Sequence, residues 1–264
     1  MGTKFLELAD GRIAYDVAGP ADGRLIVCVQ GVGDTRKTFR FLAPKLAAAG
    51  YRVAAMDVRG YGESSTGWPG YGVDQIASDV LALIRHLGGP AVVVGHSIGS
   101  AAAAWAAAEG PDDVTALVLI ASEARDTPIK AWMKPAAKIV ARSVTLWGMY
   151  YRSLHPTRPA DFVEYLEDLK ANLREPGRLE VLRTQLDEAL AGIDPRFADA
   201  RPPALIVMGT KDRDMRDPEA EANLVADKLA GPATVELVQD AGHYPHVEMP
   251  EVTETAIRKF LAEV

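Results

Sequence analysis

The chain has 264 residues, 48% hydrophobic and 25% charged, and can bury a sizeable core as one large domain or one domain with an insertion. Its net charge of −7, without a dense Lys/Arg run, argues against nucleic-acid binding, and it has no run of about 18 uncharged apolar residues that would predict a membrane span. Glu7 and Asp10 interrupt the first apolar stretch too early for a signal peptide, so we expect a cytoplasmic protein with a small-molecule partner.

Short apolar runs closed by turn residues predict eight strands. The first two, KFLELAD and GRIAYDVAG, are typical of a hairpin because Asp10 and Gly11 form a tight-turn pair between them. The other six runs are LIVCVQG, RVAAMDVRG, AVVVGHS, VTALVLIAS, ALIVMGT and TVELVQDAG. Continuous apolar runs indicate strands buried on both faces, as in a parallel sheet covered by helices. Cys28, the single cysteine, lies within such a run and is predicted to be a buried, inert thiol.

Helical patterns alternate with these strands and predict an α/β fold with an antiparallel opening edge. They cover residues 35–50, 73–88, 97–110, 218–229 and 250–264. Residues 123–200 contain no convincing strand, and helical periodicity covers 129–154, 159–173 and 177–190. An unstructured loop of that length is implausible in a compact domain. We therefore predict a helical cap at 123–200, inserted after the sixth strand of a core formed by 1–122 and 201–264.

The stretch GHSIG, residues 95–99, follows a predicted strand and begins a predicted helix. G-x-S-x-G in that setting is a nucleophile elbow, a sharp turn that exposes a serine hydroxyl. Gly95 and Gly99 allow backbone and helix to approach closely, while Ser97 is held in a strained conformation. The motif alone also occurs by chance. The strand before it and the helix after it favour the nucleophile.

Four stretches, in this order and spacing, resemble the α/β-hydrolase family over nearly the whole chain. They are VCVQGVGD, MDVRGYGES, GHSIG, and GTKD together with AGHYPHVEMPE. The resemblance is to the capped, cofactor-free branch that contains esterases, lactonases, carbon–carbon bond hydrolases and perhydrolases. It implies an eight-stranded, mostly parallel sheet flanked by helices and a serine–aspartate–histidine triad in that chain order.

The triad partners that the resemblance selects are His243 and Asp212. A serine hydroxyl becomes a good nucleophile when a base takes its proton and a carboxylate orients that base. His243 fits the family pattern G-H-x-x-x-x-E-x-P, and Asp212 fits G-x-x-D, with Asp214 as the alternative acid. Of the other histidines, His96 is expected to point away from Ser97, and His246 is expected at a helix start or on the surface.

The resemblance also implies an oxyanion hole formed by the backbone N–H groups of Val32 and Ile98. The family usually has His-Gly where this chain has Gln30-Gly31, a departure that concerns the loop geometry because the expected donor is backbone. Three residues of DVRGYGES, which resemble the family's structural loop, are given no catalytic role: Asp57, Arg59 and Ser64. Arg59 is expected to be a buried or half-buried partner for a carboxylate.

The cap sequence supplies aromatic side chains, of which we expect Trp132, Trp147 and Tyr150 to bind substrate. Most such residues simply pack between helices. The sequence predicts a serine hydrolase that acts on an ester or related acyl bond through an acyl-enzyme, with no cofactor and no metal. One alternative is a ligand-binding receptor or signalling protein that turns over slowly, and another is a cofactor-free perhydrolase. The oligomeric state is left open.

Overall fold

A computed structural model describes residues 2–124, 138–191 and 195–264. Its strands are β1 Lys4–Leu8, β2 Gly11–Ala18, β3 Leu25–Val29, β4 Arg52–Met56, β5 Ala91–His96, β6 Val114–Ile120, β7 Ala204–Gly209 and β8 Ala233–Val238. They form one eight-stranded sheet in the order β1-β2-β4-β3-β5-β6-β7-β8. The pairs β1/β2 and β2/β4 are antiparallel, and the other pairs are parallel. The predicted mostly parallel sheet with an antiparallel edge is therefore confirmed.

The hairpin turn lies one residue earlier than predicted. Leu8 pairs with Gly11, so Ala9 and Asp10 form the turn and Gly11 is the first residue of β2. A Cβ at Gly11 would lie 2.9 Å from the side chains of Ser65 and Trp68. Gly11 is therefore explained by this close approach and not by the turn.

The central strands are buried on both faces, which explains their continuous apolar sequence. In β3, Leu25, Val27 and Val29 enter one hydrophobic cluster, whereas Ile26 and Cys28 enter the cluster on the opposite face. This alternation follows from the two-residue period of a strand. Burial raises the pKa of the Cys28 thiol, in agreement with the predicted inert residue.

Helices cover both faces of the sheet. The core helices are α1 Leu42–Ala48, α2 Val73–His86, α3 Ile98–Glu109, α7 Pro218–Lys228, α8 Pro245–Glu248 and α9 Pro250–Leu261. The alanine-rich α3 packs beside α2 on one face, and α1 and α9 contribute to the cluster on the other.

The continuous helix predicted for residues 35–50 is instead divided. A 3-10 helix at Arg36–Phe39 precedes α1, which begins at Leu42. Pro44 accounts for the division because it has no N–H, and its ring would clash with the carbonyl four residues earlier in a longer helix. In the first turn of α1 this restriction has little cost.

The connection from β6 to β7 includes helices α4 Val144–Ser153, α5 Phe162–Leu173 and α6 Arg178–Ala191. This agrees with the predicted helical insertion after the sixth strand, although the boundaries of the predicted domains stay predictions. The first part of the predicted helix 129–154, including Trp132, lies outside the described residues. Among the residues that are described, no helix is long and apolar enough to cross a membrane.

Candidate active site

Ser97 lies at the junction of β5 and α3, as the nucleophile-elbow motif predicts. Its backbone has φ 54° and ψ −122°, a region that residues other than glycine rarely adopt. A Cβ at Gly95 would lie 2.2 Å from the Gly99 carbonyl oxygen, and one at Gly99 would lie 2.4 Å from that of Val29. The two glycines therefore allow the close contacts on which this turn depends.

His243 and Asp212 meet at the carboxyl end of the sheet. The His243 ring donates from Nδ1 to Asp212 Oδ2 over 2.7 Å, and both residues are at least 96% buried. Asp212 follows β7, and His243 follows β8, which is the neighbouring strand. The short connections after two adjacent parallel strands thus bring together a pair that lies 31 residues apart in sequence.

Asp214, the alternative acid, lies farther from the imidazole. Its Oδ2 is 4.0 Å from His243 Nδ1, beyond hydrogen-bond distance. The Asp214 backbone N–H instead donates to Asp212 Oδ1 over 2.9 Å. One oxygen of Asp212 therefore accepts from His243 and the other from the main chain, which fixes the plane of the carboxylate.

Opposing influences act on the His243 imidazole. Burial disfavours its charged form, but the charge of Asp212 and the hydrogen bond to it, with smaller contributions from Asp214 and Glu123, raise the pKa of His243 to about 9. The ring therefore binds a proton readily and can act as a base when it is neutral.

The other histidines near this pair are buried. His96 donates from Nε2 to the His243 carbonyl oxygen over 2.9 Å, so it supports the loop after β8. His246 is fully buried in α8, which corrects the surface part of its prediction. Burial lowers the pKa of both rings well below the usual value, and that of His155 to about 3. These three rings are neutral at physiological pH.

The loop after β3, which was predicted to supply an oxyanion donor, lies against the elbow. β3 and β5 are parallel neighbours, and a Cβ at Gly31 would lie 3.0 Å from the Ser97 Cβ. Val32 is half-buried in this loop, and Ile98 is the first residue of α3. The Gln30 amide nitrogen donates to the Asp34 carbonyl oxygen over 3.4 Å, so Gln30 supports the loop from within.

Helix α4 binds this loop through side chains. Trp147 Nε1 donates to the Gly33 carbonyl oxygen over 3.3 Å, and the Tyr151 hydroxyl donates to Asp34 Oδ2 over 3.1 Å. Asp34 also accepts from the hydroxyl of Tyr165 on α5. Burial raises the pKa of Asp34 to about 6 despite these donors. No role was predicted for Asp34, although the residue lies within the family-like stretch VCVQGVGD.

Two of the aromatic residues predicted to bind substrate, Trp147 and Tyr150, lie on α4. Trp147 is 97% buried and Tyr150 half-buried, with ring centroids 5.3 Å apart. The Tyr150 hydroxyl donates to Asp214 Oδ2 over 2.6 Å. Their hydrogen bonds to backbone and carboxylate were not predicted, and substrate contact by either stays a prediction.

The prediction that Arg59, in the loop after β4, is a buried partner for a carboxylate is confirmed. Arg59 is 93% buried and binds Asp79 with two hydrogen bonds of 2.7 Å. Asp57 accepts from the backbone and guanidinium of Arg36, and the Ser64 hydroxyl donates to the Asp57 carbonyl oxygen. These polar groups are therefore hydrogen-bonded within the protein.

Asp212, Asp214 and His243 also have the composition of a metal site, with potential ligand atoms within 4.8 Å of one another. The His243 Nδ1 that would bind an ion already donates to Asp212, and Asp214 Oδ2 accepts from Tyr150. We therefore interpret these groups as a hydrogen-bonded cluster and not as a metal centre.

A profile of the Alpha/beta hydrolase family matches residues 26–256. The chain belongs to this family. It is 28% identical to 2-(acetamidomethylene)succinate hydrolase of Mesorhizobium japonicum over 95% of this chain and 92% of that protein. It is likewise 28% identical to 3-oxoadipate enol-lactonase 2 of Acinetobacter baylyi, over 78% of this chain and 77% of that protein. These relatives support an enzyme with hydrolytic activity.

Among solved structures, the bromoperoxidase from Bacillus anthracis is similar to this chain, with a TM-score of 0.86. The two are 21% identical, and the alignment covers 99% of this chain and 100% of that one. At this identity the likeness shows the fold alone.

Proposed function

We propose that this chain is a serine hydrolase that cleaves an ester or related acyl bond of a small to medium apolar substrate. The observation that carries the proposal is the buried His243–Asp212 pair, with a hydrogen bond of 2.7 Å, at the same edge of the sheet as the strained Ser97. A base oriented by a carboxylate is what a serine hydroxyl requires to become a nucleophile.

In the proposed reaction, Ser97 Oγ attacks the acyl carbon while His243 Nε2 takes the hydroxyl proton. Nε2 serves because Nδ1 donates to Asp212. The backbone N–H groups of Val32 and Ile98 bind the oxygen that becomes negative, aided by the positive end of α3. His243 then gives its proton to the leaving alcohol, and Ser97 retains the acyl group.

Water completes the cycle. His243, again neutral, takes a proton from water as the water oxygen attacks the acyl carbon. The resulting intermediate releases Ser97 Oγ, which regains its proton from His243, and the carboxylic acid leaves. Because the pKa of His243 is raised to about 9, the fraction of neutral base increases as the pH rises from 7 towards 9.

Aromatic and apolar groups beside the elbow support an apolar substrate. The Trp147 ring lies so close to the loop after β3 that a Cβ at Gly33 would be 2.5 Å from the ring. A hydrophobic wall with a few polar groups is typical of small-molecule sites. Two relatives, named 3-oxoadipate enol-lactonase 2 and 2-(acetamidomethylene)succinate hydrolase, act on small molecules by their names, which agrees with the proposed size of the substrate but not with its apolar character.

Labelling with an activated fluorophosphonate tests the proposal, because a base-activated serine reacts with it readily. We expect one label per chain, on Ser97, and hydrolysis of a short p-nitrophenyl ester. Both should be lost in Ser97→Ala and kept in Ser78→Ala, an exposed serine on α2 that serves as the control. Labelling that survives Ser97→Ala would remove the assignment, whereas labelling without turnover would favour a ligand-binding protein.

A further inference from the structure

Two carboxylates stand near one imidazole nitrogen in the candidate site. Asp212 Oδ2 lies 2.7 Å and Asp214 Oδ2 lies 4.0 Å from His243 Nδ1. Both belong to the loop after β7, and the Asp214 side chain is 30% exposed. A movement of about 1 Å would bring Asp214 into hydrogen-bond range of the ring. A contact that holds Asp214 away from the imidazole would therefore leave Asp212 as the orienting acid.

Tyr150 binds the oxygen in question. Its hydroxyl donates to Asp214 Oδ2 over 2.6 Å, which is the same oxygen that faces His243. Burial, together with the charge of Asp214, raises the pKa of Tyr150 well above its usual value, so the hydroxyl keeps its proton and remains a donor. Tyr150 lies on α4, where Trp147 packs against it and donates to the Gly33 carbonyl oxygen.

We propose that Tyr150 is a positioning residue, whose hydroxyl holds Asp214 Oδ2 towards α4 so that Asp212 orients His243. The inference rests on the proposed function, in which His243 is the base. It gives Tyr150 a role in addition to the predicted substrate contact. It also makes the acid of the site depend on a residue of the inserted helices.

The proposal predicts opposite effects for two variants that break the same contact. Tyr150→Phe removes the donor, so the negative charge of Asp214 acts more strongly on His243 and stabilises its protonated form. Asp214→Asn removes that charge and destabilises the protonated form. If the variants acted only by loosening α4, both would expose His243 to water, and its pKa would shift in the same direction in both.

The charged and titratable groups around His243 come from several elements. They are Asp212 and Asp214 after β7, Glu123 after β6, His96 at the end of β5, Tyr244 just before α8, His246 in α8, Tyr150 on α4 and His155 after it. Tyr150→Phe changes one contact within this set, so its comparison with the wild type isolates that contact. Asp214→Asn also removes the charge of Asp214.

Nuclear magnetic resonance titration of ¹⁵N-histidine-labelled protein measures the His243 protonation constant without requiring activity. We expect affinity for the proton to rise about threefold or more in Tyr150→Phe and to fall by at least as much in Asp214→Asn. The double variant should titrate like Asp214→Asn because the hydroxyl acts through that carboxylate. Met149→Ala, an exposed position on the same helix, is the matched control and should titrate like the wild type.

Shifts of the two single variants in the same direction, or an unchanged constant in Tyr150→Phe, would overturn the proposal. A second measurement needs no substitution at Tyr150. The Cζ resonance of Tyr150 should move in Asp214→Asn while that of Tyr51, which lies before β4, stays in place, and an unmoved Tyr150 resonance would also contradict the contact. Fluorophosphonate labelling tests the proposed function separately, so the two failures are distinguishable.

Discussion

Asp212 and Asp214 are two residues apart, and burial distinguishes them. The Asp212 side chain is fully buried, whereas that of Asp214 is 30% exposed. A carboxylate withdrawn from water interacts more strongly with an imidazolium because the local dielectric constant is low. Together with the 2.7 Å hydrogen bond, this makes Asp212 the better candidate for the orienting acid.

Replacement of Asp212 should therefore cost more activity than replacement of Asp214. Asp212→Asn can no longer hold the correct His243 tautomer, and we expect turnover to fall by roughly 10⁴, the loss found for the equivalent change in a serine protease. Steady-state kinetics with a short p-nitrophenyl ester, measured from pH 7 to above 9, provides the test.

Asp214→Asn is the matched comparison because it changes the same chemical group in the same loop. We expect a mild change in the turnover number at the pH where His243 is neutral. The opposite ranking of the two variants would transfer the orienting role to Asp214, and full activity in His243→Ala would refute the triad.

Helix α4 connects the inserted helices to several loops of the candidate site. Trp147 and Tyr151 bind the loop after β3, Tyr150 binds the loop after β7, and the Leu154 carbonyl oxygen, just after the helix, accepts from the His243 N–H over 3.1 Å. Three of these contacts are made by buried or half-buried aromatic side chains. Such contacts favour a fixed roof over the site instead of a lid that opens.

A fixed roof limits the length of the acyl group that can be accepted. Each methylene placed in an apolar cleft contributes about 0.8 kcal/mol, or about fourfold in kcat/KM, until the cleft is full. Along a series of p-nitrophenyl esters, catalytic efficiency should rise over the short chains and then collapse. An efficiency that continues to rise through long-chain esters, or that jumps at a lipid–water interface, would instead indicate a mobile lid.

At the scale of the whole molecule, the sequence predicted what local pattern and motif determine. Strand burial on both faces and the elbow at Ser97 follow from residue order and spacing, whereas the pairing of His243 with Asp212 was implied by the family resemblance. The contacts of Asp34 with Tyr151 and Tyr165 could not be predicted, because they join residues 117 and 131 positions apart whose meeting depends on how α4 and α5 pack.

Burial of polar side chains was the other property that local sequence left undetermined. His246 follows a proline at a helix start, which is usual for a surface position, yet the packed side chains around it exclude water. The break before α1 was predictable in principle, since Pro44 restricts the backbone ahead of it.

The backbone of Ser97 implies that activity and conformational stability are opposed at this position. Its φ of 54° imposes a strain on any side chain with a Cβ, so selection for thermodynamic stability alone would favour glycine there. Ser97→Gly and Ser97→Ala should both be inactive, but the glycine variant should have the larger free energy of unfolding, by about 1 kcal/mol, because it relieves strain that alanine retains. Urea denaturation of the two variants measures this difference, and equal stabilities would show that the surrounding structure absorbs the strain. In the proposed function, the strain at Ser97 is thus a loss of stability that the reaction requires.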